Sequence, residues 1–177
     1  MSVPPAPGPQ PARILVSLVL LLALPLAGAG VLGWQVVERV QASQDAEAAE
    51  QADKDAVRAA TLQVMNWASV DYQKLDEYFT TVKNGATGEF LEQFEQTEPT
   101  LRQGLTENQS IQIPTIPTSG VALLERKGDE AAVLVAIDAV VTNRATKGQP
   151  QPRQYRMKAT VRRLDDAWLI SKLEYVG

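Results

Sequence analysis

Asp71, Asp76 and Glu77 flank Tyr72 and Tyr78 in the run SVDYQKLDEYF. A carboxylate beside a phenol can carry out proton transfer, one group accepting while the other donates. The same residues also suit a scaffold. Asp71 and Asp76 stand near expected helix ends, where a carboxylate accepts backbone N–H bonds, and Tyr72, Tyr78 and Phe79 fall on one helical stripe, as core residues do. The scaffold reading is the stronger, so no catalytic residue is assigned. Asp138 is the one charge in the apolar run 131–141. It could be a buried acid, but the odd positions Ala131, Val133, Val135, Ile137, Ala139 and Val141 form an unbroken apolar face and put Asp138 on the other side. There it should pair across strands with Arg156 or Lys158. Arg156, Lys158, Arg162 and Arg163 make a cationic strip that reads as a solvated sheet face, with anionic headgroups or an acidic partner as the rival reading. Asn108-Gln109-Ser110 matches a glycosylation acceptor, a pattern short enough to arise by chance.

Composition narrows the chemistry further. The 177 residues hold 17 Lys and Arg against 21 Asp and Glu, a net charge of −4 with the basic residues scattered, so there is no electrostatic footprint for nucleic acid. Cysteine and histidine are both absent. That removes disulfides, thiolate nucleophiles, a Ser-His dyad and the usual zinc ligand sets. There is no Gly-rich phosphate loop and no Gly-x-Ser-x-Gly elbow. No metal and no cofactor is expected.

These residues need elements to hold them. Residues 1–13, with five prolines in the first eleven, read as a disordered tail. Residues 14–34, ILVSLVLLLALPLAGAGVLGW, carry no charge and are long enough to cross a hydrocarbon core of about 30 Å. They read as a transmembrane helix. A cleaved signal peptide ending near Ala29 is the alternative. Either way the rest of the chain is expected outside the cytoplasm, with the N-terminus inside. Ala29 and Gly33 form a small-x-x-x-small pair that could let a second span approach. From Gln35 the sequence is free of Gly and Pro as far as Gly85, and its Ala, Glu and Gln content predicts a helix to about Ser69. Residues 35–55 of it should form a stalk that is solvated or pairs loosely with partner helices. Beyond, Val57, Ala60, Val64, Met65 and Ala68 recur at helical spacing and should pack on a domain spanning 56–177.

In that domain Tyr72, Leu75, Tyr78, Phe79 and Val82 predict a second helix, stopped by Asn84-Gly85. Thr87 is the expected cap of a third, which Pro99 should kink or divide. After Ser110 the apolar period drops to two. Ile111 to Ile116, interrupted by prolines, reads as an edge segment, followed by a hairpin turning at Lys127-Gly128-Asp129. RQYRMKATVRRL and WLISKLEYV are further strands, joined by a turn at Asp165-Asp166. The expected fold class is α+β, about three helices on a curved antiparallel sheet of about four strands.

Trp67 to Asp76 (WASVDYQKLD), Ala86 to Phe90 (ATGEF) and Trp168 to Leu173 (WLISKL), after an apolar span and an Ala-rich helix, resemble the Mce-associated membrane proteins of actinobacteria. The resemblance implies a bitopic protein whose exported domain is a cone like that of nuclear transport factor two and ketosteroid isomerase. It implies a non-enzymatic accessory or stabilising subunit of an Mce-type importer of lipids or sterols. Its partners would be the membrane, transporter subunits or other envelope proteins, and a lipid or sterol. One departure is Asp165-Asp166-Ala167, where the family often has a glycine, which puts the tightness of that hairpin in question. Trp67, Tyr72, Tyr78, Phe79, Phe90 and Trp168 are the candidate pocket or core aromatics. The alternatives are an apolar-ligand carrier or an enzyme using the cone, and an assembly factor of a secretion system.

Overall fold

The computed structural model describes residues 41–176 of the 177. The expected tail at 1–13, the span at 14–34 with Ala29 and Gly33, and the first residues of the stalk lie outside the described residues. No helix among the described residues is long and apolar enough to cross a membrane. The chain divides into two compact units, 1–49 and 50–177. In the first, the described residues 41–49 are helical and exposed apart from half-buried Ala49.

The second unit opens with helix α1, residues 50–68. Ala56, Ala60, Val64 and Ala68, four apart, are each wholly buried. Side chains this small let the helix lie close against a sheet. Val57 and Met65, expected on the same face, are only half-buried at its margins. Strand β1 (Val70–Asp71) and a single 3-10 turn (Tyr72–Lys74) lead into α2 (Leu75–Asn84), and α3 (Gly88–Asn108) follows. Pro99 neither divides α3 nor ends it. Thr87 does occupy the N-cap position of α3, but its side chain makes no capping bond; its N–H instead donates to Ile170 O at 2.8 Å. At the other end Gln109 adopts φ 50°, and Ser110 N–H donates to Leu105 O at 3.0 Å, closing α3 in a Schellman-type turn without glycine.

Strands β2 (Ile111–Thr115), β3 (Val121–Lys127), β4 (Glu130–Thr142), β5 (Gln151–Leu164) and β6 (Ala167–Tyr175) complete a curled antiparallel sheet in the order β1-β2-β4-β5-β6. β3 also pairs with β4. The sheet has six strands where about four were expected. The two-residue β1 is too short to show a period, and it covers part of β2, which is therefore not the edge. β4 carries β2 along 138–142 and β3 along 130–135 on one flank, so a long strand serves two short neighbours.

Parity settles the faces as the alternation requires. Val133, Val135 and Ile137 of β4 and Met157, Ala159 and Val161 of β5 are fully buried against α1. Arg156 and Arg162 lie outward and exposed. The hairpin at Asp165-Asp166 is a two-residue loop, with Leu164 paired to Ala167. Asp165 takes φ 52°, a left-handed conformation that Asp tolerates, so the turn is tight without glycine. A second apolar cluster, Leu75, Tyr78, Phe79, Val82 and Phe94, joins α2 to α3, and Trp67 and Phe90 pack against both clusters.

Candidate functional site

α3 and β6 border an open groove of about 240 Å³, with Trp67, Phe90, Phe94, Met157, Leu173 and Tyr175 among its walls. Three aromatics from three elements meet beside it. Trp67 at the end of α1, Tyr155 of β5 and Tyr175 of β6 have ring centroids 6.2 Å apart in each pairing, with edge-on contacts from Trp67 to both tyrosines. Such contacts stabilise by about 0.5–1.5 kcal/mol beyond burial.

The polar groups here answer to the end of α1. The last carbonyls of a helix have no partner within it. Tyr78 Oη donates to Trp67 O at 3.1 Å, and Gln112 Nε2 donates to Ala68 O at 2.8 Å. Tyr155 Oη then donates to Gln112 Oε1 at 3.0 Å, so α2, β2 and β5 are tied through one chain of bonds to the same helix terminus. Burial, with a smaller contribution from Tyr175, pushes the Tyr78 phenol well above its ordinary value. Its proton stays in place.

Asp71 and Asp76 are engaged in other bonds. Asp71 Oδ1 accepts from Gln73 N–H at 2.9 Å and so caps the 3-10 turn, as its position near a helix end predicts. Asp76 pairs with Arg102 Nη1 at 2.7 Å. Arg102 also reaches Glu98 at 3.1 Å, Lys83 reaches the other Glu98 oxygen at 3.0 Å, and the Arg102 guanidinium lies 4.6 Å from the centre of the Phe79 ring. These hydrogen-bonded cations hold the Glu98 carboxyl below its usual range, the Lys83 bond contributing most. Tyr78 Oη donates its hydrogen bond to a backbone carbonyl, not to an acid. Asp138 accepts from Gln154 Nε2 at 3.2 Å and stands 3.9 Å from Arg156, the cross-strand partner expected, while Lys158 faces Leu134.

The six candidate aromatics do not gather around one cavity. Trp67 and Phe90 line the groove, Phe79 is sealed at 1% exposure, Tyr78 is buried beneath α2, and Trp168 sits in the main core. Tyr72 lies apart, half-buried, in a cleft with Arg144 and Lys147. Tyr155, Tyr175 and Gln112 were not singled out by sequence. Tyr155 was visible only as one more odd position in an alternating strand.

The domain is thus an α+β fold whose helices cover one face of a curled sheet. A family model described as "Uncharacterized protein Rv1363c/MT1408-like" matches residues 12–177, and the chain belongs to that family. Protein Rv1363c of Mycobacterium tuberculosis is 29% identical over 168 residues, 93% of this chain and 63% of its own length. This chain therefore spans under two thirds of that relative. Among solved structures, an IcmL-like type IV secretion system protein from Legionella pneumophila superposes with a TM-score of 0.55 at 10% identity, over 68% of this chain and 88% of that one. The periplasmic domain of DotI gives 0.53 at 10%, over 68% and 91%. At such identity the likeness is one of fold.

Proposed function

We propose that the chain is a non-enzymatic accessory subunit of a cell-envelope assembly, held in the membrane by residues 14–34 with its domain outside the cytoplasm, and that it works by protein contact. The observation that carries this reading is the use made of the polar groups around the groove: the hydroxyls of Tyr78 and Tyr155 and the amide of Gln112 are engaged in closing the end of α1. A site built for proton transfer would keep such groups free for substrate.

The assembly proposed first is an Mce-type lipid or sterol importer, on the resemblance of WASVDYQKLD, ATGEF and WLISKL to Mce-associated proteins. The second reading, a secretion-system assembly role, draws support from the shared fold of the IcmL-like protein and the DotI periplasmic domain. Affinity isolation of the tagged chain from gently solubilised membranes, with mass spectrometry, separates the two. Importer subunits support the first and secretion components the second; recovery of the free chain alone contradicts both.

A further inference from the structure

Strand β6 is covered along half its outer edge. Ile170 N–H donates to Gly85 O at 2.9 Å and Ile170 O accepts from Thr87 N–H at 2.8 Å, so the turn between α2 and α3 seals the strand up to the bulge at Ser171. Beyond the bulge no backbone bond among the described residues covers the edge. Val176 N–H donates to Arg156 O at 2.7 Å, and antiparallel alternation from that bond turns the backbone of Lys172 and Glu174 toward β5 and that of Leu173 and Tyr175 outward. Two N–H and two C=O groups thus face away from the sheet, the arrangement to which another strand adds.

The side chains along this edge complement themselves. Lys172 and Glu174 project from the same face, 3.0 Å apart, with 48% and 41% of their side-chain surface exposed. Beside the edge, α3 presents the uncharged residues Thr97, Thr100, Leu101, Gly104 and Leu105 around an open depression of about 600 Å³, while Glu92, Glu95, Glu98 and Arg102 occupy other positions on the helix. The groove shares Thr97 and Leu101 with this depression, so strand edge and helix face form one continuous surface.

We propose that this surface docks a second copy of the chain, β6 against β6, antiparallel about a two-fold axis through Leu173. In that register Leu173 faces the partner's Leu173, Lys172 faces the partner's Glu174, and Glu174 faces the partner's Lys172. Moving the axis to Glu174 would set two carboxylates face to face, which is unfavourable. Charge therefore selects both the partner and the register. An isologous contact of this kind uses the same patch on both subunits and closes as a dimer. The inference does not depend on the role proposed above.

Differently tagged full-length chains in detergent, scored by pull-down and native mass spectrometry, test it. Lys172→Glu makes both positions acidic and Glu174→Lys makes both basic. Each alone should weaken self-association by on the order of tenfold, and mixing the two should restore pairing as a heterodimer. The chain has no native cysteine, so Leu173→Cys gives a clean second readout. Facing Leu173 positions in this register lie about 5.5 Å apart, within disulfide reach. Under a mild oxidant Leu173→Cys should yield a covalent dimer and Tyr175→Cys should not. A wild-type chain monomeric throughout, single charge variants that associate as well as wild type, or a mixture that fails to pair would each overturn the proposal, as would β6 binding another polypeptide in place of a second copy.

Discussion

Replacing Tyr78 with Phe removes one oxygen and leaves the ring where it is. The ring's neighbours are Phe79 at 5.0 Å and Phe94 at 6.1 Å between centroids, both in edge-on contact, and Phe should preserve them. What disappears is the bond from Tyr78 Oη to Trp67 O, which closes an otherwise unpaired carbonyl at the end of α1. A neutral hydrogen bond of this kind contributes about 0.5–1.5 kcal/mol net. Trp67 is half-buried, so water can reach part of the vacated carbonyl, and a loss of about 1 kcal/mol is expected. In a domain of this size that lowers the melting temperature by about 4 °C. Urea unfolding followed by tryptophan fluorescence should show a lower midpoint with an unchanged slope. The variant has a second signature at alkaline pH. The folded-state pKa of Tyr78 is raised, so its contribution is fully present below the unfolded tyrosine value of about 10 and is lost as pH climbs beyond it. Wild-type stability should fall steeply there, and Tyr78→Phe should flatten the fall. A melting temperature within a degree of wild type, together with an unaltered alkaline profile, would refute the assignment of this hydroxyl to the helix end.

Phe79→Ala empties a site 1% exposed and removes the Arg102 cation–π contact; a loss of about 3–5 kcal/mol is expected by the same denaturation assay. Glu98 is held below its usual value by Lys83 and Arg102, so its contribution is present above the unfolded value near 4.5 and lost as pH falls below it. Glu98→Gln should therefore make acid unfolding shallower in a pH-dependent melt. Two glycines should respond with opposite signs. A Cβ at Gly120 would lie 2.9 Å from Pro117 O and 3.0 Å from Ala136 O, both backbone, so Gly120→Ala should cost about 1–3 kcal/mol. Gly104, inside α3, has open space around it, and Gly104→Ala should stabilise by about 0.5–1 kcal/mol in thermal melts.

Periodicity made most of the sheet legible. The odd face of β4 and β5 is the core because two-residue alternation is a direct consequence of strand geometry, and nothing in the tertiary structure opposes it. α1 was legible in part for a similar reason, Ala60, Val64 and Ala68 of the expected stripe being buried, while Ala56 takes the place given to Val57 and Met65. What lay hidden depended on contacts between distant positions. β1 exists because Val70 and Asp71 meet Gln112 and Ile111, some forty residues away, and two residues carry no period. Gln112 looked like one polar residue in a proline-broken segment, yet it links Ala68 O to Tyr155 Oη. The candidate aromatics scattered because shared helical phase places side chains on one face without saying which cavity, if any, that face closes. Tyr72 and Phe79, expected on one stripe, end apart, one half-buried in a cleft with Arg144 and Lys147 and the other sealed. The turn at Asp165 formed tightly without glycine because Asp can hold a positive φ.

We propose that this domain acts through contacts with neighbouring envelope proteins. Photo-reactive residues placed at exposed positions of α3 and β6, activated in intact cells and followed by mass spectrometry of the adducts, test it most directly. Adducts to a small, reproducible set of envelope proteins are expected from these surfaces. Adducts confined to lipid, with none to protein, would contradict it.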